Sequence, residues 1–443
     1  MPISEFEFSN LGPIKKATFE FDDHVNCFIG PNNSGKSTTL FALADIVLYP
    51  FVIPPKLFTG KTPTWSIVIR NKKRKRKFSY SGSFPINMGD KNKGNMIGNI
   101  LRQIGFSVII PAIRLGTDFR SGGPKDLGVK GNLEVDENVW NDITVKELEK
   151  RDKLIEPLSS SIEDQDIIQR LIELDYRAYR HKNKEILNAI EIMSAMASEI
   201  TEGYPVRYIK IDEDSEGLFP LFDTPDGELP LNCLSQGTQS VVQWLTHLVM
   251  AYGEYYDFEK GFLDSPAVAF IDEIDAHMHP AWQRRIIPTL TKYLPNLQIF
   301  FSTHSPLMLT GLREGQIHLF DRNKKGDIAI SRNTEDISGW SADEILHSFM
   351  SLKSPTDLKT ADQLKRLGEL RNRSKLTKKE KIELEKLREF THEAMISGPT
   401  GKGLKETEDF LADLVRDEKR NSLKRKISQK KINKSLKSKT KKV

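Results

Sequence analysis

A glycine-rich loop with the composition of a phosphate-binding site occupies residues 30–37, where the sequence reads GPNNSGKS. Its two glycines, its lysine and its serine match the pattern GxxxxGK[ST] in full. Backbone amides of such a loop, together with the positive end of the following helix, surround phosphate oxygens; the lysine reaches the outer phosphates and the serine hydroxyl binds Mg²⁺. The predicted nucleotide-binding residues are Gly30, Pro31, Asn32, Asn33, Ser34, Gly35, Lys36, Ser37 and Thr38.

Two carboxylates follow an apolar run in the stretch AVAFIDEID, residues 267–275. Asp272 and Glu273 would stand at the carboxyl end of a buried strand, where open α/β sheets bind their ligands. Asp272 is predicted to hold Mg²⁺, directly or through water, and Glu273 to polarise an attacking water. A buried strand that ends in a solvated acidic turn is the simpler alternative.

A histidine and a Ser/Gly turn complete the set of candidate site residues. His304 in FFSTHSP, residues 300–306, could contact the γ-phosphate or the attacking water, although a lone histidine after a strand is usually without such a role. Ser235 and Gly237 lie in LNCLSQGTQS, residues 231–240, just before an apolar helix. They could present a hydroxyl and amides to an anion, but the stretch alone is also an ordinary helix N-cap.

Short strands and helices are predicted to position these residues. Alternating apolar and polar residues predict β-hairpins, at 3–21, 64–84 and 316–332. Short apolar runs bounded by turn residues predict buried strands, at 25–29, 106–110, 267–271 and 298–302. Helical spacing predicts a helix over 38–48, two helices within 144–201 broken near 157–161, and more helices from 341 to about 418. Thr377 and Glu380 have the spacing of a capping box.

Composition and charge narrow the class of protein. The two cysteines, Cys27 and Cys233, form no CxxC pair, and no apolar stretch approaches the roughly 18 residues of a membrane span, so a cytoplasmic globular protein without membrane contact is expected. The last 25 residues, from Lys419, hold 12 Lys or Arg and no Asp or Glu; because the net charge is +5, the remaining chain carries −7. This tail and Lys72 to Lys77 could bind nucleic-acid backbone, or they could be a solubilising tail and a solvated loop.

The order and spacing of the motifs resemble the ATP-binding cassette (ABC) superfamily of ATPases. Five elements carry the resemblance: Walker A at 30–37, the signature at 234–239, Walker B with its glutamate at 267–273, the D-loop residue Asp275 and the switch histidine His304. The resemblance covers roughly residues 1–115 and 205–335. It implies an α/β fold, an ABC-type P-loop NTPase head with an antiparallel β subdomain, a helical insertion and a C-terminal helical region.

Five segments are expected on this basis. They are an ATPase lobe with Walker A at 1–115, a linker and helical insertion at 116–204, an ATPase lobe with the signature, Walker B and switch histidine at 205–340, a C-terminal helical region at 341–418, and a basic disordered tail at 419–443.

Within the superfamily the chain is similar to the soluble branch that contains recombination-protein F, double-strand-break repair ATPases and SMC heads. It is most similar to the ATPases of bacterial anti-phage systems, since IDEIDAHMHPAWQ and STHSP are typical of that group. GWSADEIL, residues 339–346, and LTKKEKIELEKL resemble the Septu ATPase most, with the PARIS ATPase and the overcoming-lysogenization-defect enzymes as near alternatives.

The resemblance implies ATP and Mg²⁺ bound between two copies of the chain arranged head to tail, as a dimer or a larger homo-oligomer. Ser235 and Gly237 of one copy would hold the γ-phosphate bound by Walker A of the other, and Asp275 would join the nucleotide site. The implied catalytic residues are Lys36, Glu273 and His304, and the implied metal ligands are Ser37 and Asp272. The implied role is an ATP-gated sensor or scaffold that controls a partner effector, a nuclease.

Three departures from the family pattern stand out. Asn33 replaces the usual glycine, but asparagine tolerates left-handed backbone angles better than other non-glycine residues. The signature reads LSQGTQ rather than LSGGQ, which keeps the serine and second glycine. A Q-loop glutamine is not evident: Gln103 precedes its strand, and Arg114 could supply a phosphate contact instead.

Three rival functions stay open at this stage. A built-in nuclease is disfavoured, because no acidic DxD pair within apolar strands follows residue 335. A transporter subunit fits poorly with the DEID and His279-Pro280 arrangement and with the long helical additions. A DNA-repair or recombination ATPase of the recombination-protein F or SMC type, which binds DNA directly, is the main alternative.

Overall fold

A computed structural model describes most of the chain, in two compact units, Met1–Ser351 and Leu352–Val443. The described residues are 2–48, 64–71, 74–81, 104, 106–110, 164–214, 217–323, 326–350, 352, 357–373 and 375–396. The expectations for residues 116–142, the break near 157–161 and the basic tail from Lys419 lie outside them.

The described part of the larger unit contains strands β1–β13 and helices α1–α6. The strands are β1 Ile3–Leu11, β2 Ile14–Glu20, β3 Val25–Ile29, β4 Thr64–Asn71, β5 Arg74–Ser81, β6 Phe106–Ile110, β7 Arg207–Asp214, β8 Gly217–Thr224, β9 Gly227–Pro230, β10 Ala267–Ile271, β11 Leu297–Ser302, β12 Ile317–Arg322 and β13 Ile328–Arg332. The helices are α1 Lys36–Leu48, α2 Asp164–His181, α3 Lys184–Ile200, α4 Gln236–Tyr255, α5 Pro280–Tyr293 and α6 Ala342–Phe349.

A six-stranded sheet in the order β13-β12-β3-β11-β10-β6 forms the centre of the larger unit. All neighbours are parallel except β13, which pairs antiparallel with β12. Every residue of β3, β10 and β11 is buried, as the continuous apolar runs predict. Because β3, β11 and β10 are adjacent and parallel, the segments that follow them emerge at one edge of the sheet.

A second, antiparallel sheet in the order β2-β1-β4-β5 packs against the first through aromatic side chains. The rings of Phe21 and Phe300 meet edge to face with centroids 4.8 Å apart, and Phe19 lies 5.8 Å from Phe28. These contacts explain why the alternating apolar residues of β1 and β2 are buried on one face. The predicted α/β architecture with an antiparallel β subdomain is confirmed.

Strand β5 corrects the interpretation of the cationic stretch Lys72 to Lys77 as a connecting loop. Arg74 to Lys77 belong to β5, with Arg74 opposite Asn71 and Lys77 opposite Val68; residues 72 and 73 lie outside the described part. In the four-stranded sheet β5 is an edge strand, and lysine is well tolerated at edges because it discourages pairing with other chains. The Lys77 side chain is 59% exposed and its Nζ lies 4.0 Å from Glu7.

Helices α2 and α3 and the three-stranded sheet β7-β8-β9 form the helical side of the larger unit. The described helices break at Lys182, whose φ is +49°, and Asn183, whose side chain accepts the amide N–H groups of Glu185 and Ile186. Asn183 is therefore the N-cap that starts α3. The buried face of α3 packs against α4 and α5, which begin near the predicted site residues.

The smaller unit contains two described helices, α7 Leu358–Arg371 and α8 Lys378–Ile396. The Arg366 guanidinium donates to both carboxylate oxygens of Glu383, at 2.8 and 3.0 Å. The predicted capping box is confirmed: the Thr377 amide donates to the Glu380 carboxylate at 2.8 Å, and the Glu380 amide donates to the Thr377 hydroxyl at 3.3 Å. Across the described helices of both units, none has the length and apolar character to cross a membrane.

Candidate nucleotide-binding site

The glycine-rich loop connects β3 to α1, and its lysine lies across it. Lys36 Nζ donates to the carbonyl oxygens of Gly30 at 2.9 Å and of Pro31 at 3.1 Å. Helix α1 begins at Lys36, two residues before the predicted start, because the Thr39 amide already donates to the Gly35 carbonyl at 2.9 Å. Burial lowers the pKa of Lys36, while the carboxylates of Asp272 and Glu273 act in the opposite direction.

Strand β12 supports the loop from the side. A Cβ atom at Gly30, whose φ is +149°, would lie 2.3 Å from the carbonyl oxygen of Phe320, so this position requires glycine. Asn33 has a φ of +59°. This is the left-handed conformation expected at a position that is usually glycine, and asparagine tolerates it. The Arg322 guanidinium donates to the Asn33 carbonyl at 2.6 Å. Arg322 was not a candidate, because a cation at the end of a distant strand carries no local motif.

Asp272 connects the loop to the ends of two other strands. The Ser37 hydroxyl donates to Asp272 Oδ1 at 3.0 Å. The Ser302 hydroxyl also donates to Asp272 Oδ1, and it accepts the amide N–H of Glu273 at 2.8 Å. Ser302 ends β11, so the segments after β3, β10 and β11 meet here. Ser302 lies in the stretch FFSTHSP, in which only the histidine was predicted as a site residue.

The turn that carries Glu273 is held in an unusual backbone conformation. Glu273 and His277 have φ values of +47° and +62°, a left-handed region that costs a non-glycine residue about 1 kcal/mol or more. Backbone hydrogen bonds hold the turn, from the Ile274 amide to the Ser302 carbonyl at 3.2 Å and from the Ala276 amide to the Glu273 carbonyl at 2.9 Å. The turn fixes Glu273, half-buried, directly after the buried Asp272.

His304 and Asp275 lie in the segments that follow β11 and β10. His304 is exposed, between the buried residues Thr303 and Ser305. Ser305 anchors this segment, because its hydroxyl donates to the Gln283 side chain at 2.6 Å and its amide donates to the Thr303 hydroxyl at 2.9 Å. Asp275 Oδ1 is buried without a hydrogen-bond partner among the described residues. His304 is therefore open to solvent, whereas Asp275 Oδ1 is enclosed by the protein.

The signature segment, residues 234–239, contains the start of α4. It packs against the turn that carries Asp272 and Glu273, the acidic turn. Ser235 is the N-cap of α4, since its hydroxyl accepts the Thr238 amide at 3.2 Å. A Cβ atom at Gly237 would lie 2.9 Å from the His277 carbonyl oxygen and 3.1 Å from the Trp282 ring. Ser235 is exposed, and within the described part of this chain it hydrogen-bonds only to residues at the start of its own helix.

The residues present fit a nucleotide with Mg²⁺. The Ser37 hydroxyl and the Asp272 carboxylate, adjacent in the structure, are the hard oxygen ligands that Mg²⁺ prefers. Ser34 Oγ is buried without a hydrogen-bond partner among the described residues, and it lies in the loop predicted to hold phosphates. Gln103 and Arg114, considered for the Q-loop position, lie outside the described residues.

Two family models match the chain. The model described as "AAA ATPase domain" matches residues 1–50, which contain the glycine-rich loop. The model described as "AAA domain, putative AbiEii toxin, Type IV TA system" matches residues 134–310, which contain the signature, Asp272, Glu273 and His304.

The chain is also similar to curated proteins. The Septu protein PtuA of Bacillus thuringiensis is 21% identical over 402 residues, 84% of this chain and 91% of that protein. The Septu protein PtuA of Bacillus mycoides (strain KBAB4) is 30% identical over 118 residues, 27% of this chain and only 16% of that protein. Among solved structures, the SmcHead bound to the C-winged helix domain of ScpA has a TM-score of 0.43 and 15% identity, covering 75% of this chain and 98% of that one. The resemblance to ATPases of anti-phage systems, Septu in particular, is confirmed by the sequence matches.

Proposed function

We propose that this chain is an ATP-binding and ATP-hydrolysing ABC-type ATPase that controls a partner effector, a nuclease, in anti-phage defence. One observation carries the enzymatic part of the proposal. Hydrogen bonds join Ser37 of the glycine-rich loop, Asp272 of the acidic turn and Ser302 of the next strand into one network beside Glu273. This arrangement supports the proposal, because the glycine-rich loop, the Ser37–Asp272 pair and Glu273 lie at one edge of the sheet.

The proposed reaction is attack of water on the γ-phosphorus of ATP, which breaks the bond from that phosphorus to the β,γ-bridging oxygen and releases ADP and inorganic phosphate. Loop amides and Lys36 hold the phosphates, and the bond from Lys36 to the loop carbonyls is exchanged for bonds to phosphate oxygens. Ser37 and Asp272 would hold Mg²⁺, which would neutralise part of the phosphate charge. Glu273 accepts the proton of the attacking water, and His304 contacts the γ-phosphate. Positioning and charge neutralisation account for most of the catalysis of phosphoryl transfer.

The site is proposed to be completed by a second copy of the chain. Ser235 is exposed and makes no hydrogen bond to the glycine-rich loop of its own chain. In a head-to-tail dimer, Ser235 and Gly237 of one copy would contact the γ-phosphate bound by the other, with Asp275 at the same interface. ATP binding then favours the closed pair and hydrolysis loosens it, so that the nucleotide state becomes a conformational signal.

The shared site can be tested by mixing two inactive variants. Lys36→Ala disables the loop and Ser235→Arg disables the signature, so each variant alone should lack ATPase activity. In a random mixture, half of the dimers contain one intact composite site, and about a quarter of wild-type activity should return. An inactive mixture of two folded variants would contradict a site shared between subunits.

The effector part of the proposal is supported by the similarity to Septu protein PtuA over 84% of this chain. It also agrees with the sequence after residue 335, which lacks an acidic DxD pair of the Toprim type. Co-expression with the protein of the neighbouring gene, followed by affinity purification with and without ATP, is the direct test. Recovery of a nuclease in a fixed molar ratio to this chain would support the proposal, and recovery of a permease would contradict it.

Direct DNA binding is the second candidate function, and one structural observation favours it. The edge strand β5 contains the cations Arg74 to Lys77, and the Lys77 side chain is 59% exposed. A gel-shift assay on duplex DNA, with and without ATP, distinguishes the candidates. ATP-dependent binding to DNA in the absence of any partner protein would favour the recombination and repair type of ATPase.

A further inference from the structure

A small cavity separates the signature helix α4 from the acidic turn. Its volume is about 10 Å³, close to the space required by a single water molecule. Ser240 and Trp244 of α4 line one side, and Asp272 and Glu273 line the other. Ser240 and Trp244 are four residues apart, so they lie on the same face of the helix.

Trp244, one of the residues that line the cavity, has a buried polar group. The residue is 2% exposed, and its indole Nε1 has no hydrogen-bond partner among the described residues. A buried N–H group without a partner is costly and is commonly satisfied by an ordered water. The cavity is also lined by Ser240, Asp272 and Glu273. The hydroxyl and carboxylate groups of these residues are suitable further partners for such a water.

Helix α4 and the acidic turn are also in close contact at the start of the helix. A Cβ atom at Gly237 would lie 2.9 Å from the His277 carbonyl oxygen, so the helix cannot move towards the turn at this level without displacing it. The acidic turn therefore contacts α4 at Gly237. Further along the helix, at Ser240 and Trp244, the cavity separates the two elements.

We propose that the cavity binds one water molecule, which accepts a hydrogen bond from Trp244 Nε1–H and links the Ser240 hydroxyl to the acidic turn. Trp244 is then a positioning residue: it acts on Glu273 through this water and touches neither ATP nor the reacting atoms. The inference rests on the proposed ATPase function of Glu273. It adds a link, inside one subunit, between the helix that carries the signature and the turn that carries the base.

The experiment compares variants that remove each proposed partner of the water. Trp244→Phe keeps an aromatic ring and removes the N–H group, and Ser240→Ala removes the hydroxyl. Each should lower kcat for ATP about three- to tenfold, the loss expected of one hydrogen bond, while the Kd for ATP stays within about twofold. The double variant should be little slower than either single variant, because both act through one water.

Thr246→Val is the matched control. Thr246 Oγ1 is another buried group of α4 without a partner among the described residues, but Thr246 does not line the cavity. This control should leave kcat unchanged. Wild-type turnover in folded Trp244→Phe and Ser240→Ala, or additive losses in the double variant, would overturn the proposal.

A crystal structure of the wild-type chain provides a test that does not depend on folding of the variants. It should show an ordered water within hydrogen-bond distance of Trp244 Nε1, and a dry cavity would overturn the inference. Failure of the underlying function looks different. If Glu273→Gln retained normal ATP hydrolysis, the proposed function itself would fail; if Glu273→Gln lost hydrolysis while the α4 variants kept it, only the water site would be wrong.

Discussion

At the level of single residues, the hydrogen bonds of the candidate site converge on the Asp272 carboxylate. Ser37 and Ser302 both donate to Oδ1, and Ser302 also accepts the amide N–H of Glu273. Because Asp272 is buried, loss of either donor leaves a poorly compensated charge. We therefore expect Ser302 to matter for turnover as well as for stability.

The first prediction concerns the proposed base. Glu273→Gln preserves the side-chain volume but removes the proton acceptor, so ATP hydrolysis should fall roughly 10²- to 10⁴-fold. Binding of a fluorescent ATP analogue should be unchanged, because the loop and Lys36 are intact. Glu259→Gln, at an exposed glutamate, is the control and should hydrolyse ATP normally. Unchanged hydrolysis by Glu273→Gln would rule out its role as base.

The second prediction concerns Ser302. Ser302→Ala removes a donor to Asp272 and the acceptor of the Glu273 amide, and kcat should fall about ten- to a hundredfold. Ser4→Ala is a matched control, since Ser4 is also buried and its hydroxyl donates to the Val68 carbonyl, away from the site. Turnover and melting temperature are measured for both. Equal effects of the two substitutions on turnover would show that Ser302 acts through stability alone.

At the level of elements, β12 connects the central sheet to both the loop and the aromatic core. Its Phe320 carbonyl limits residue 30 to glycine, and its Arg322 side chain contacts the Asn33 carbonyl. The same strand carries His318, whose ring is buried edge-on against the rings of Phe19, Phe21 and Phe28. Because this buried ring can take up a proton, the free energy of unfolding of the protein should depend on pH.

The third prediction follows from that burial. Desolvation, with Arg332 acting in the same direction and Asp22 against it, lowers the pKa of His318 to about 3. The unfolded chain, with a histidine pKa near 6.5, takes up the proton first, so stability present above about pH 6.5 is lost as the pH falls towards 3. At pH 5 the loss from this residue should be about 2 kcal/mol.

Thermal unfolding at pH 7.5 and pH 5 measures this effect. The difference in melting temperature between the two pH values should be smaller in His318→Phe than in the wild type. His24→Gln, at an exposed histidine, is the control and should behave as the wild type does. An identical pH dependence in His318→Phe and the wild type would contradict the assignment to His318.

At the level of the whole molecule, the excess positive charge and the candidate site lie in different parts of the chain. The tail from Lys419 contributes +12, while the preceding residues carry −7. The candidate site lies entirely within the unit Met1–Ser351, and α7 and α8 belong to the unit Leu352–Val443. Catalysis and contact with polyanions are therefore expected to be separable.

The fourth prediction tests this separation. A chain that ends at Glu418 should hydrolyse ATP at the wild-type rate, because no site residue is removed. Any affinity for duplex DNA at low salt should fall at least about tenfold, and its dependence on salt should weaken, since fewer counterions are released on binding. Fluorescence anisotropy at several salt concentrations provides the measurement. Unchanged salt dependence would place DNA contacts elsewhere, for example on β5.

Sequence alone determined the features that are encoded by neighbouring residues. The loop at 30–37, the hairpins β1–β2 and β12–β13 and the capping box at Thr377 were predictable because backbone angles, side-chain period and capping depend on residues close in the chain. The extent of β5 was not, because pairing with β4 outweighs the low strand propensity of consecutive lysines and arginines.

Tertiary structure alone decided which distant groups meet. Ser37, Asp272 and Ser302 are more than 260 residues apart at their extremes, and only the adjacency of parallel strands β3, β11 and β10 brings them to one edge. The same holds for Arg322 at the loop and for the cavity beside Trp244. Local sequence sets backbone conformation, whereas the order in which strands pair is a property of the whole packed core, and the chemistry of the site depends on that order.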